Sequence, residues 1–279
     1  MIIRHLTLAS LLSITVTISS CQSKKVLAPE VINTQTKSGE YMIEGDFKIL
    51  EVDKLGLVYL VNNSNEIIKL QDGKILFRYS SKRLGNITRL DVSNPQKVLV
   101  YYGDYYQVVF LDNTLSEIDQ LDLDALGYWD VESVALSRDN FIWIYDPVNV
   151  KLIKISQNGS VQLSTNELFD VGFSADYSPH IMVDDEMVYL YDRSELKAFN
   201  EYGSWVKTIP LENEGLQIIN QGFIIMRDNT LYFYPTDVQF KDNLQEIAKV
   251  DNLIQFRLAE NVLHVIDGGG YRRRDIEKN

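Results

Sequence analysis

One element recurs six times along this 279-residue chain, and a fold that buries it only once cannot accommodate it. The element is a short alternation of aromatic and aliphatic residues ending in Asp, Asn or Pro. It reads "GLVYLVN" (Gly56 to Asn62), "KVLVYYGD" (Lys97 to Asp104), "FIWIYD" (Phe141 to Asp146), "MVYLYD" (Met187 to Asp192), "TLYFYP" (Thr230 to Pro235) and "VLHVID" (Val262 to Asp267). Apolar residues at a period of two form β-strands, and helical periodicity is almost absent, so the body is expected to be all-β. The copies lie roughly 30 to 45 residues apart, which is the length of a propeller blade of four short antiparallel strands.

The flanking sequence repeats with the element. A less apolar strand and a polar turn precede it, as "VALSRDN" (Val134 to Asn140) precedes the third copy and "FIIMRDN" (Phe223 to Asn229) the fifth. A further strand follows, as in "EIIKLQDG" (Glu66 to Gly73), "YQVVFLDN" (Tyr106 to Asn113), "KLIKISQNG" (Lys151 to Gly159) and "ELKAFNEYG" (Glu195 to Gly203). A fourth strand such as "ILFRYS" (Ile75 to Ser80) or "WVKTIPL" (Trp205 to Leu211) completes the unit. About 23 strands result, far more than the competing β-sandwich uses. The last unit, Leu253 to Ile276, has room for only three strands, and an unpaired edge there would invite aggregation. "YMIEGD" (Tyr41 to Asp46) is therefore predicted to close the ring beside "YRRRDI" (Tyr271 to Ile276). From Tyr41 to the end the chain resembles six-bladed propellers of the NHL and related kinds. It lacks the Gly-His and Trp-Asp pairs of WD40 repeats and the Asp-box turns of sialidases.

The chain has a single cysteine, which excludes an intramolecular disulfide. Cys21 follows a start Met, one basic group (Arg4) and an apolar run through Leu6, Leu8, Leu11, Leu12, Ile14, Val16 and Ile18. That is the layout of a signal peptide, too short to span a bilayer stably. Ile18-Ser19-Ser20-Cys21 resembles the lipobox of bacterial lipoproteins, with Ile for the usual Leu and Ser20 for Gly or Ala. The resemblance implies a diacylglyceryl group (palmitate-type chains) on Cys21, which becomes the mature N-terminus. At about 0.8 kcal/mol per buried methylene, two or three chains anchor durably where one does not. Gln22 and Ser23, rather than Asp, follow the cysteine, and the same resemblance then implies the outer membrane, at its periplasmic face rather than the cell surface. The expected organisation is a signal peptide over residues 1–20, a lipidated tether over 21–40 and the propeller over 41–279. The tether has no aromatic residue and no period, and its root-mean-square reach is roughly 25 Å.

Removing the signal peptide takes away one basic residue and no acidic one, so 27 − 1 = 26 Lys and Arg face 39 Asp and Glu, a formal charge of 26 − 39 = −13. Such a body is not expected to bind nucleic acid, and the acyl chains, not the folded surface, would hold it on anionic lipid.

Sequence alone assigns no catalytic set. His5 lies in the signal, and His180 and His264 fit no metal spacing. No Gly-x-Ser-x-Gly elbow occurs. Two carboxylate clusters, Asp122, Asp124, Asp130 and Glu132, and Asp184, Asp185 and Glu186, would suit Ca²⁺ alone among cofactors. Turn chemistry accounts for both, since Asp tolerates left-handed backbone and bonds its own main chain. "GGGYRRRD" (Gly268 to Asp275) spreads its arginines over both faces of a strand. The candidate interface residues are Tyr101, Tyr102, Tyr105, Tyr106, Tyr128 and Trp129, aromatic groups near strand ends and connections. The function expected is a non-enzymatic platform that binds another envelope protein or complex. The alternative is a calcium-dependent hydrolase or lactonase, or a sugar-binding propeller.

Overall fold

A computed structural model describes residues 40–173, 179–184, 187–192, 194–219, 222–235 and 244–276. Cys21, the signal segment, the tether up to residue 39, Asp185 and Glu186 lie outside the described residues.

Alternating apolar segments punctuated by Asp, Asn and Gly become 24 strands with only two short 3-10 turns among the described residues. Strand β1 (Glu40–Glu44) comes first in the chain. Blade one then follows as β2 (Phe47–Val52), β3 (Val58–Asn62), β4 (Glu66–Gln71) and β5 (Lys74–Ser80). Blade two is β6 (Ile87–Asp91), β7 (Val98–Tyr102), β8 (Gln107–Leu111) and β9 (Glu117–Asp122). Blade three is β10 (Val134–Leu136), β11 (Ile142–Asp146), β12 (Lys151–Ile155) and β13 (Val161–Ser164). Blade four is β14 (His180–Asp184), β15 (Met187–Tyr191), β16 (Glu195–Asn200) and β17 (Trp205–Pro210). Blade five is β18 (Gly215–Ile219), β19 (Gly222–Arg227), β20 (Thr230–Pro235) and β21 (Gln245–Lys249). The sixth sheet joins the two ends of the chain in the order β1-β24-β23-β22, with β22 (Leu253–Ala259), β23 (Val262–Asp267) and β24 (Gly270–Asp275). The fold is a six-bladed β-propeller closed by its first strand, as the three-strand tail required: Tyr41 pairs with Arg272 and Ile43 with Tyr271.

The recurring terminal Asp or Asn has a local cause. Asn62 Oδ1 accepts the N–H groups of Ser64 and Glu66 at 2.9 and 3.0 Å, and Asp146 and Asp192 bind the turns after β11 and β15 in the same way. Asp72 and Gly73, at φ 47° and 75°, join β4 to β5 in two residues, the left-handed pair that matches strand twist.

The blades are covered on both faces, so alternation here sorts residues between two neighbours rather than between core and water. In β7, Leu99 and Tyr101 enter the core shared with blade three, while Val98, Val100 and Tyr102 enter that shared with blade one. Six such cores, one per blade junction, complete the ring. Two-sided burial also explains one error of register. "TLYFYP" is the third strand of blade five, and its second is the equally apolar β19. With β19 in place the second strands begin at residues 58, 98, 142, 187, 222 and 262, a more even spacing.

Among the described residues the innermost strands β2, β6, β10, β14, β18 and β22 pair with another strand on one side only, and polar side chains from neighbouring blades satisfy backbone groups on the other. Gln255 Oε1 accepts the Leu50 N–H at 2.8 Å. Gln217 holds both backbone groups of Leu258, donating to its carbonyl at 2.9 Å and accepting its N–H at 2.7 Å. Asp91 accepts the Leu136 N–H at 2.8 Å, and Ser133 Oγ the Ile181 N–H at 2.9 Å. Replacing Gln217 with Leu strips two buried groups of their partner and is expected to lower stability by about 1–3 kcal/mol, read from chemical denaturation midpoints. The same change at Gln162, exposed on β13, is expected to stay within about 0.5 kcal/mol of wild type.

Candidate functional site

Three places on the ring present functional chemistry: the two ends of the axis and the surface over blades two to four.

At the end where the innermost strands finish, a groove of about 930 Å³ runs from the axis into the seam between the sixth and first blades. Asp184 and Gln217 line it near the axis, Lys54 and Asp72 come from turns of blade one, and His264 and Arg273 come from the closing blade. Asp53 is buried at its wall because the turn after β2 folds onto it. It accepts the N–H groups of Leu55 and Leu57 at 2.9 Å each and the Tyr59 hydroxyl at 3.1 Å. Burial, with Asp53 alongside, raises the Tyr59 pKa far above the ordinary phenol value.

His264 Nδ1 lies 2.7 Å from the Tyr271 hydroxyl, and both residues are buried. Burial, then the nearby Arg273 charge, pushes the His264 pKa down to about 4, so the ring is neutral at physiological pH. The arginines divide: Arg273 lines the groove, while Arg272 pairs with Asp267 at 2.9 Å. The strand that carries them is covered by β1 and is not the blade edge. The groove combines apolar wall, neutral imidazole, guanidinium and carboxylates, which suits a polar organic molecule of mixed charge.

At the opposite end a cavity of about 240 Å³ holds Glu51, Arg89, His180, Tyr191 and Arg257. Arg257 Nε donates to Glu51 Oε2 at 2.7 Å and Nη2 to Oε1 at 2.5 Å, a bidentate pair spanning the first and sixth blades. Burial opposes the Arg257 charge, but Glu51 outweighs it and holds the pKa above its ordinary value. Arg89 Nη2 donates to the Ile181 carbonyl at 3.0 Å, reaching from blade two to blade four past the third. Charged side chains thus line this end of the axis.

The six aromatic candidates separate. Tyr101 and Tyr102 are fully buried and offer nothing to a partner. As the last residues of β7 they look terminal in sequence, but blades two, one and three enclose them. Tyr105 and Trp129 are 59% and 51% exposed, and Tyr106 and Tyr128 are half-buried against the blade core beneath them. Tyr106 OH donates to Asp130 at 3.2 Å, which ties the connection after β7 to the one after β9, and the Leu168 N–H donates to the Val150 carbonyl at 2.9 Å, which ties the connection after β13 to the one after β11. Exposed Val148 and Phe169 sit on the connections after β11 and β13, a contribution that sequence reading missed.

Of the first carboxylate cluster, Asp122 accepts the Ala125 N–H, which holds it below the usual carboxylate range, and Asp130 accepts from Tyr106. Among the described residues no three His, Cys, Asp or Glu side chains gather as metal ligands. Only Asp184 of the second cluster is described, at the groove. The groove and the axial bridging residues also escaped the sequence reading. Their one signal was a polar residue inside a largely apolar first strand, as at Gln217 and Gln255.

No family model and no curated protein matches the chain. Solved structures do. A streptogramin B lyase superposes with a TM-score of 0.56 at 11% identity, over 86% of this chain and 86% of its own. A catalytically inactive virginiamycin B lyase from Staphylococcus aureus with quinupristin gives 0.54 at 12%, over 89% and 88%. A protein of unknown function from Bacteroides caccae gives 0.53 at 9%, over 84% and 89%. At these identities what is shared is the propeller itself.

The buried neutral histidine makes a pH prediction. Its folded pKa of about 4 lies below the ordinary 6.5. The unfolded chain therefore binds more protons between those values, and stability must rise with pH across that window. Lowering the pH from about 6.5 to about 4 is expected to remove about 3 kcal/mol through His264 alone, with no further loss from it below. Denaturation of wild type and His264→Gln in parallel checks this: the difference in their slopes against pH should be confined to that window.

Proposed function

We propose that this chain is a lipid-anchored β-propeller of the bacterial envelope, a non-enzymatic platform that binds another envelope protein or complex. In this reading residues 1–20 are removed as a signal peptide, Cys21 carries the acyl chains, and residues 21–40 tether the propeller at the periplasmic face of the outer membrane. The observation that carries the binding role is the exposed surface of Tyr105, Trp129, Val148 and Phe169 on connections of blades two to four. Aromatic residues on rigid supports are the usual anchors of protein interfaces, because they bury large area at little conformational cost. In situ crosslinking and capture from intact envelopes is expected to recover one stoichiometric partner with the wild-type chain. Recovery should fall at least about tenfold with Tyr105→Ala/Trp129→Ala, the size of loss that one or two anchor residues supply. Cys21→Ala is expected to move the protein out of the membrane fraction. Equal recovery with the double variant would remove the surface from this reading.

A second reading, a sugar-binding propeller or a calcium-dependent hydrolase or lactonase, is favoured by the groove of about 930 Å³, large enough for a small molecule. Calorimetry of the protein with Ca²⁺ up to about 1 mM, a concentration extracellular calcium modules require, should give a saturable heat under it. Flat titrations would leave the calcium-dependent forms of this reading without support.

A further inference from the structure

Among the described residues six outer strands leave their outward edge without a strand partner, and five of them are short, acidic or ended by proline. β9 bears Glu117, Asp119 and Asp122, β1 bears Glu40 and Glu44, β13 has four residues, β17 ends in Pro210, and β21 is a five-residue strand carrying Glu246 and Lys249. Charge, brevity and proline are the devices by which sheet edges avoid adding strands.

β5 is neither short nor interrupted by proline and bears no acid, and its two charges, Lys74 and Arg78, leave an unbroken apolar run between them. At seven residues it is among the two longest described strands, and Ile75, Leu76 and Phe77 are exposed by 46%, 40% and 37% in succession. Its charge also opposes that of the molecule. From Lys74 to Arg83 the sequence "KILFRYSSKR" holds four cations, Lys74, Arg78, Lys82 and Arg83, and no acid, in a chain of net charge −12. All four are exposed, and among the described residues only Arg78 is in a salt bridge, with Glu66 at 2.7 Å.

We propose that the β5 edge is a docking site for an extended acidic segment of another protein, which adds to blade one as a fifth strand. Backbone groups along the edge supply the pairing, Ile75 and Phe77 take apolar side chains of the incoming strand, and the cations select for acid. The charge pattern decides against two other occupants. A second copy would set one cationic β5 against another. The chain's own residues 22–40 carry Lys24, Lys25 and Lys37 against Glu30 and Glu40, and so bring no acidic excess. An anionic lipid surface would satisfy the cations but not the row of backbone groups.

This surface is distinct from the aromatic one over blades two to four, and its test needs no membrane partner. The probe is a fluorescein-labelled eight-residue peptide alternating Glu and Val, titrated with the full-length protein in neutral detergent micelles. Saturable anisotropy below about 1 mM is expected, weakening as salt is raised, with slowed amide exchange over residues 74–80. Lys74→Glu/Lys82→Glu should weaken binding at least about tenfold with an unchanged melting temperature, whereas Lys207→Glu on β17 should not. No saturation by that concentration, equal binding of a Lys-Val peptide, or exchange protection elsewhere would overturn the proposal. So would self-association abolished by the double variant, or equal affinity for phosphatidylglycerol vesicles without protection of β5.

Discussion

A propeller must find partners for the backbone groups that its innermost strands turn toward the axis. Each of those strands pairs on one side only, and each unpaired buried N–H or C=O costs about 1–3 kcal/mol. Here the partners come from neighbouring blades: Gln255 for Leu50, Gln217 for Leu258, Asp91 for Leu136 and Ser133 for Ile181. These bonds do two jobs at once. They satisfy the backbone and join consecutive blades, so that the polar lining of the axis is also the inner seam of the ring. Bidentate pairing of Arg257 with Glu51 repeats the pattern with charges, across the junction where the chain closes on itself.

Outside that seam the apolar cores take over. Because each blade faces two others, a strand such as β7 buries five consecutive residues, and the alternation that would mark one wet face marks instead which neighbour a side chain meets. Ring closure by β1 follows from the same constraint. Three strands in the last unit would leave β24 without a neighbour, and the first strand of the chain covers it. What remains for interaction is limited to the two ends of the axis, the connections and the outer edges.

This division explains what the sequence disclosed. The blade number, the closing strand and the Asp and Asn turns were legible because each repeats, and repetition in register is hard to produce otherwise. The placement of "TLYFYP" was not, since second and third strands are equally apolar when both faces are buried. Tyr101 and Tyr102 were misplaced for a related reason: a strand end is solvent-exposed in a one-layer sheet but enclosed between blades. The groove was illegible because its wall draws on residues as distant as Asp53, Asp184 and Arg273, which only the closed ring brings together. Cys21 and its neighbours stand apart, since that reading is local and depends on no fold.

Separating the seam from the rim has a consequence for how such a chain can vary. Side chains of β2, β3 and β4 are tied into junctions on both sides, whereas five of the seven β5 positions from Lys74 to Arg78 lie exposed in an unbroken row. Changes there alter little of the ring's stability, because exposed substitutions away from caps and cores stay within about 0.5 kcal/mol. Acid on β9 and cation on β5 are then both compatible with the fold, and charge on the rim is free to follow what the surface meets. Folding imposes no requirement for three apolar residues in a row on an outward edge; it would be satisfied by the acidic pattern one blade's width of chain later. The difference between β5 and β9 is therefore best understood as a property of the surface, laid over a scaffold whose stability is decided at the axis and between the blades.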